Sequence, residues 1–326
     1  MGERPEISVV VPSHERPLRL LWLLNALEAQ ALDPSRWEVV VASDSRPPTT
    51  HRIIAEHPLA ARGTLRAVFR EPGTGAPAIH RNSGWHAARG ELIAFTDDDC
   101  RPEPGWLAAL AAAASRAPAD VLQGSVRPDP NEAEVLARVP WARSVVVDPP
   151  NWHAPTANIA FPRALLERLD GFEETIRAGG EDTDLWARAE EAGARLVAVP
   201  EARVLHAVHP MAFTQYLRSQ TRWTDLPAVV KRHPRLRRRL PLGLFWKERH
   251  GQLLLAAAGA GLVAARRRNV YGLLALPWAR AAWPGSGRTP QGAVRALARL
   301  PAHAAVDVAE ISAMIRGSVR HRTLFL

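Results

Sequence analysis

The 326-residue chain has a single cysteine, Cys100, so it can form no internal disulfide and no cysteine-based zinc cluster, a pattern that fits a reducing compartment. It has no Gly-x-Gly-x-x-Gly after its first strand pattern and no P-loop lysine, which excludes the usual dinucleotide and P-loop devices for holding phosphate. Met-Gly-Glu-Arg-Pro leads straight into a strand pattern, so no signal peptide is expected. The apolar stretches Leu253 to Ala265 and Val270 to Trp278 fall short of the roughly 18 to 20 residues a spanning helix needs, and read as in-plane or re-entrant helices. Acid is scarce at the end of the chain. From His206 to Leu326 there are 20 Lys and Arg against 4 Asp and Glu, a net +16; the whole chain is +9, which leaves the first 205 residues at −7. A mildly acidic body joined to a strongly basic tail points to an anionic partner for the tail, either membrane phosphate or nucleic acid.

What is present is an alternation of strand and helix patterns. Ile7 to Val11 is an apolar β-branched run, and Leu18 to Ala31 repeats apolar residues at helical spacing. Strand patterns recur at Trp37 to Val41, Leu65 to Phe69, Leu92 to Phe95 and Val121 to Val126, with helices expected over Pro77 to Arg89, Glu103 to Arg116 and Asn131 to Arg143. This order argues an α/β fold, a doubly wound and mostly parallel nucleotide-binding sheet, followed by a basic, mostly helical extension.

The fourth of these strands stops at Asp97-Asp98-Asp99. Like charges a few ångströms apart raise one another's pKa, so three acids at the end of a buried strand want a counter-charge. A hard divalent cation, Mg²⁺ or Mn²⁺, supplies one and bridges to phosphate; the plain alternative is an acidic loop that solvates a turn. Cys100, with no His or Cys partner nearby in sequence, reads as packing. Gly179-Gly180 precede Glu181, Asp182 and Asp184 at the start of a helix, where the macrodipole favours acids. A late strand ends in His206, with His209 close behind.

Taken together, Val9-Val10-Val11-Pro12-Ser13, Arg81-Asn82-x-Gly84 before Gly90-Glu91, Phe95-Thr96-Asp97-Asp98-Asp99, Gly179-Gly180-Glu181-Asp182-Thr183-Asp184-Leu185 and Val204-Leu205-His206 resemble the family 2 inverting glycosyltransferases of the GT-A fold, over roughly residues 6 to 223. The resemblance implies a hexosyltransferase using a nucleotide diphosphate sugar and a metal. Its Asp-x-Asp element would put Asp97 near the ribose and Asp99 on the cation, with Asp98 able to substitute for either. Asp182 of the Glu181-Asp182 pair would be the general base, and His206 a metal ligand, with His209 competing. Pro12, Ser13, His14 and Arg16 would line the base and ribose pocket beside Asp44 and Arg81. Two departures stand out: Ala42 and Ser43 intervene before Asp44, and His80 replaces the small residue that usually precedes the Arg-Asn pair.

Two other functions fit parts of the sequence. A nucleotidyltransferase would want a Gly- and Lys-rich loop after the first strand, and Pro12 to Pro17 has neither; a basic nucleic-acid-binding protein would use the tail, whose Trp246, Trp278 and Trp283 sit among aliphatic runs as at a lipid interface. The expectation is therefore a catalytic domain over 1–223 and a membrane-associating region over 224–326, without nucleic acid. It would act at the cytoplasmic face of the cell membrane on a hydroxyl of a glycan, lipid-linked or small-molecule acceptor.

Overall fold

A computed structural model describes residues 4–73, 75–283 and 290–326. The described residues form eight strands: β1 (Ile7–Ser13), β2 (Trp37–Ser43), β3 (Leu65–Phe69), β4 (Leu92–Phe95), β5 (Cys100–Pro102), β6 (Val121–Pro128), β7 (Ile159–Pro162) and β8 (Leu196–His206). They make one sheet in the order β3-β2-β1-β4-β7-β6-β8-β5. The first four are parallel, with Val10 beside both Val40 and Phe95, whereas β7 runs antiparallel to β4 and β6, and β5 antiparallel to β8. The sheet is thus mixed beyond β4.

Alternate side chains of the parallel strands enter different cores. Val9, Val11, Val39 and Val41 pack with Leu20, Leu23, Leu24 and Trp106 on one face, while Val10, Val40, Ile93 and Phe95 pack with Phe161, Phe172 and Trp186 on the other. That is the period of two expected of strands buried on both faces. The covering helix Pro17–Glu28 starts on a proline, whose missing N–H costs nothing there, and buries Leu20, Leu23, Leu24 and Leu27 as one stripe. With the register fixed, the loops after β1, β2 and β4 emerge together at the carboxyl edge, where open α/β sheets collect ligands.

One expected helix differs. The one read over Asn131 to Arg143 is a 3₁₀ turn, Pro130–Glu132, and a helix, Ala133–Arg138, that stops because Val139 precedes a proline and turns extended. The late strand that ends in His206 runs without a break through Pro200, with a register shift against β6 between Gly124 and Ser125.

The chain divides into two compact units, one ending at Arg177 and resuming over Glu181–Met211, the other comprising Ala178–Gly180 and Ala212–Leu326. The second unit is helical, with Phe213–Ser219, Leu226–Arg232, Glu248–Arg266, Leu276–Ala282 and Pro290–His321. Inside it Glu310 takes Lys247 at 2.8 Å and His250 at 2.9 Å, and Asp307 takes Arg249 and the Trp278 indole, so its buried charges are paired. Among the described residues no helix is long and apolar enough to cross a membrane.

Candidate active site

The acid turn is built by its backbone. Cys100 N donates to Asp97 O at 3.0 Å, Thr96 Oγ1 to Ala157 O at 2.9 Å, and Ala207 N to Asp99 O at 2.9 Å. The pairing of Cys100 with His206 across β5 and β8 then carries His206 to Asp99.

The three carboxylates take different partners. Asp97 accepts from Arg81 Nη2 at 2.9 Å; Asp98 from Arg16 Nη1 at 3.1 Å and His14 N at 3.3 Å; Asp99 Oδ2 from Arg16 Nη1 at 2.7 Å and pairs with His209 Nε2 at 2.8 Å. Protein cations thus supply part of the counter-charge that the sequence demands. Burial, reinforced by Asp99 and Asp97, pushes Asp98 up to about 7 in spite of Arg16. Burial works on Asp99 the same way, but the hydrogen bond from His209 and the charges of His206 and Arg16 hold it well below the usual carboxylate range.

Asp99 and His206 form a donor pair. His206 Nδ1 lies 2.7 Å from Ala207 O, so that nitrogen carries a proton, and in the neutral ring the lone pair is then on Nε2. Nε2 faces Asp99 Oδ1 at 3.5 Å, and that oxygen is buried with no hydrogen-bond partner among the described residues. A buried carboxylate oxygen and, in the neutral ring, an imidazole lone pair facing it are a donor set that fits a divalent cation. The buried Cys100 thiol lies in the same cluster, yet burial pushes its pKa well up, and it contacts Ala157 O at 3.9 Å as a neutral group. The cluster of His250, Asp307 and Glu310 in the helical unit differs, since its acids already hold Lys247 and Arg249.

On the other side of the acids, Arg81 is buried and donates through Nη1 to Glu181 at 2.8 Å, linking Asp97 to the Glu181–Glu191 helix. Gly180, before that helix, has φ +103°, a conformation that requires glycine. Asp182 Oδ1 accepts from Thr183 N at 2.7 Å, and Oδ2 has no hydrogen-bond partner among the described residues. Burial and the neighbouring Glu181 push Asp182 up to about 8, with Arg81 opposing. A carboxylate in that range can take a proton near neutral pH.

The remaining sequence candidates lie along the same edge. Strand β2 extends to Ser43, so Asp44 is the first residue past it, and Ala42 and Ser43 belong to the strand. Asp44 is fully buried; it accepts from Gly75 N at 3.2 Å and pairs with His14 Nδ1 at 2.7 Å, with His80 Nε2 at 3.4 Å. Burial would raise its pKa, but His14 and His80 hold it low. Pro12 and Ser13 end β1, and the buried Ser13 lies beside Asp98. Contacts therefore run unbroken from Asp44 through His14 to Asp98, and from Asp97 through Arg81 to Glu181. Sequence reasoning did not find the joint hold of Arg16 on Asp98 and Asp99, nor the His80 contact with Asp44; no periodicity signals either.

A parallel sheet extended by antiparallel strands, with acids at the end of β4 and a histidine at the end of β8, is the GT-A arrangement. Two family models match the sequence, "Glycosyl transferase family 2" over residues 8–169 and "Glycosyl transferase family group 2" over residues 92–274, and the chain belongs to the family 2 glycosyltransferases. It is 29% identical over 275 residues to validoxylamine A glucosyltransferase of Streptomyces hygroscopicus subsp. limoneus, covering 74% of this chain and 59% of that protein. The chain thus spans less than two thirds of that relative's length. Among solved structures it is similar to the mannosyltransferase PcManGT of Pyrobaculum calidifontis in complex with GDP-Man and Mn²⁺, with a TM-score of 0.57 and 20% identity over 98% of this chain and 88% of that one. It is also similar to S. aureus TarS 1–349 in complex with UDP-GlcNAc, with a TM-score of 0.55 and 18% identity over 98% and 92% of the two chains.

Proposed function

We propose that this protein transfers a hexose from a nucleotide diphosphate sugar to an acceptor hydroxyl, with inversion, in a site where Asp99 and His206 would hold Mg²⁺ or Mn²⁺. The carrying observation is the buried Asp99 Oδ1, without a hydrogen-bond partner among the described residues, facing His206 Nε2 at 3.5 Å. When bound, the cation would neutralise charge growing on the leaving diphosphate. Asp97 and Asp98, the loop Pro12, Ser13, His14 and Arg16, and Asp44 and Arg81 would hold the nucleotide and its sugar. Asp182, with its open Oδ2, would take the acceptor proton from the face opposite the leaving group; Glu181 would set the charge beside it and keep Arg81 in place. No second acid at glycosidase spacing is needed, because a nucleotide diphosphate is already a good leaving group and needs no proton to depart. Family membership favours this reading over nucleotidyl transfer and over a non-catalytic nucleic-acid role.

The helical unit supports attachment to an anionic membrane. Leu254, Leu255, Leu262, Leu273 and Leu276 are exposed on the segments that flank the exposed Arg266, Arg267 and Arg268 in sequence, so both apolar and cationic side chains are offered to solvent there. A peripheral position at the cytoplasmic face, where anionic lipid is found, would give access to a lipid-linked acceptor.

Calorimetry of the donor with and without Mn²⁺ tests the site. Asp99→Ala is expected to remove cation-dependent donor binding, and His206→Ala to weaken it. Unchanged affinity in both variants would sink the metal assignment, and a defect in His209→Ala alone would move the ligand by three residues.

A further inference from the structure

Arg16 sits among the acids because its loop is held there. Glu15 has φ +52°, which a non-glycine residue adopts only where its surroundings impose it. Those surroundings are present: Glu15 N donates to Ser45 Oγ at 2.8 Å, Glu15 Oε1 accepts from Arg46 N at 2.9 Å, and His14 N donates to Asp98 Oδ2 at 3.3 Å. The turn throws the Arg16 side chain onto the acids, where the single nitrogen Nη1 reaches Asp98 Oδ1 at 3.1 Å and Asp99 Oδ2 at 2.7 Å. A cation shared by two carboxylates is the place a divalent ion would seek. His206 and His209 can turn a lone pair to such an ion, but a guanidinium has none and must move away. It has room to do so, since the Arg16 side chain is 49% exposed while those of Asp98 and Asp99 are 5% and 6% exposed.

We propose that Arg16 is a built-in counter-ion of Asp98 and Asp99 that opposes a bare divalent cation and yields to one arriving with a nucleotide diphosphate, whose phosphates receive the displaced guanidinium. This rests on the metal reading above and deepens it: cation and diphosphate enter as a unit. The physical reasons are plain. A fixed positive charge beside the two acids repels a second cation, and the anionic diphosphate reverses that balance. An arginine fork also matches phosphate oxygens, so the freed side chain gains a partner as it loses two. The loop that carries Arg16 is tied to Asp44 through His14, which places the same segment next to the residue expected at the nucleotide.

The test uses the full chain, Mn²⁺ alone, and Mn²⁺ with inorganic pyrophosphate as the diphosphate probe. Free Mn²⁺ is read by electron paramagnetic resonance, and binding of the Mn²⁺–pyrophosphate complex by calorimetry. Wild type is expected to bind the complex about tenfold or more tightly than Mn²⁺ alone; Arg16→Gln is expected to bind Mn²⁺ alone about tenfold or more tightly than wild type does, and to lose most of the preference for the complex. Arg16→Lys keeps the charge without the fork, so it should leave Mn²⁺ alone weakly bound while lowering affinity for the complex. Should Arg16→Gln not fold, the lysine variant carries the test, and unchanged affinity for the complex there overturns the proposal. Equal or weaker Mn²⁺ binding by Arg16→Gln, with binding still lost in Asp99→Asn, overturns the counter-ion role and leaves the metal site standing. Mn²⁺ and pyrophosphate binding identical in wild type and Asp99→Asn overturns both.

Discussion

If Asp182 is the base, the rate should follow its ionisation. Burial and the adjacent Glu181 penalise the charged form and push its pKa up to about 8, so at pH 7 roughly a tenth of the molecules carry the ionised carboxylate. A base works ionised; the sign is therefore a rate that climbs about tenfold per pH unit below that midpoint and levels above it. Asp182→Asn keeps the shape and the bond to Thr183 but cannot take a proton, and should lose about 10² to 10⁴ in turnover while donor affinity stays near wild type. Glu181→Gln gives a sharper check. It removes the charge that raises Asp182 and frees Arg81, which lowers it, so the midpoint should move to lower pH by about one unit or more. The assay is release of nucleoside diphosphate from the sugar nucleotide turned over fastest, followed from pH 5.5 to 9.5, values that span roughly the range in which a raised carboxylate titrates. A flat wild-type profile, or the same rising limb in Asp182→Asn, refutes the assignment.

Two further outcomes follow from other parts of the molecule. Asn158 is fully buried, donates to Ser125 O at 2.9 Å and Ala202 O at 2.8 Å, and accepts from Trp106 Nε1 at 2.8 Å. Asn158→Ala orphans all three groups and should cost about 2 to 4 kcal/mol in urea unfolding; a loss under about 0.5 kcal/mol would mean that water replaces the amide. For the helical unit, vesicle flotation should reveal binding to anionic lipid that weakens with salt and falls when Arg266, Arg267 and Arg268 are changed together to Gln. Equal flotation on neutral vesicles would refute the charge component.

Much of the first unit was legible because β1 to β4 and β6 are apolar runs of ordinary strand length with helical stripes between them. Strand β5 was not, because Cys100–Pro102 is only 3 residues long and exists through pairing with β8. Strand β7 was hidden by its approach: Thr156 and Asn158 look like the polar wall of a cleft, yet they are buried, and the Asn158 side chain serves the backbones of β6 and β8. The helix Pro290–His321 contains Pro301, a residue that argues against helix in any local reading. At the site, residue types and order pointed to Asp97, Asp98, Asp99 and His206. Their counter-charges were out of reach, since the position of Arg16 depends on a left-handed Glu15 and that of Arg81 on a helix 100 residues away in sequence.

The central claim is single-step transfer with one carboxylate base acting opposite the leaving diphosphate, and stereochemistry tests it most directly. Proton NMR of the glycoside formed in the first turnovers, before the free sugar can mutarotate, reports the anomeric configuration of the product against that of the donor. Inversion is the expected result, with product formation lost in Asp182→Asn. Product with the donor's configuration retained would contradict it.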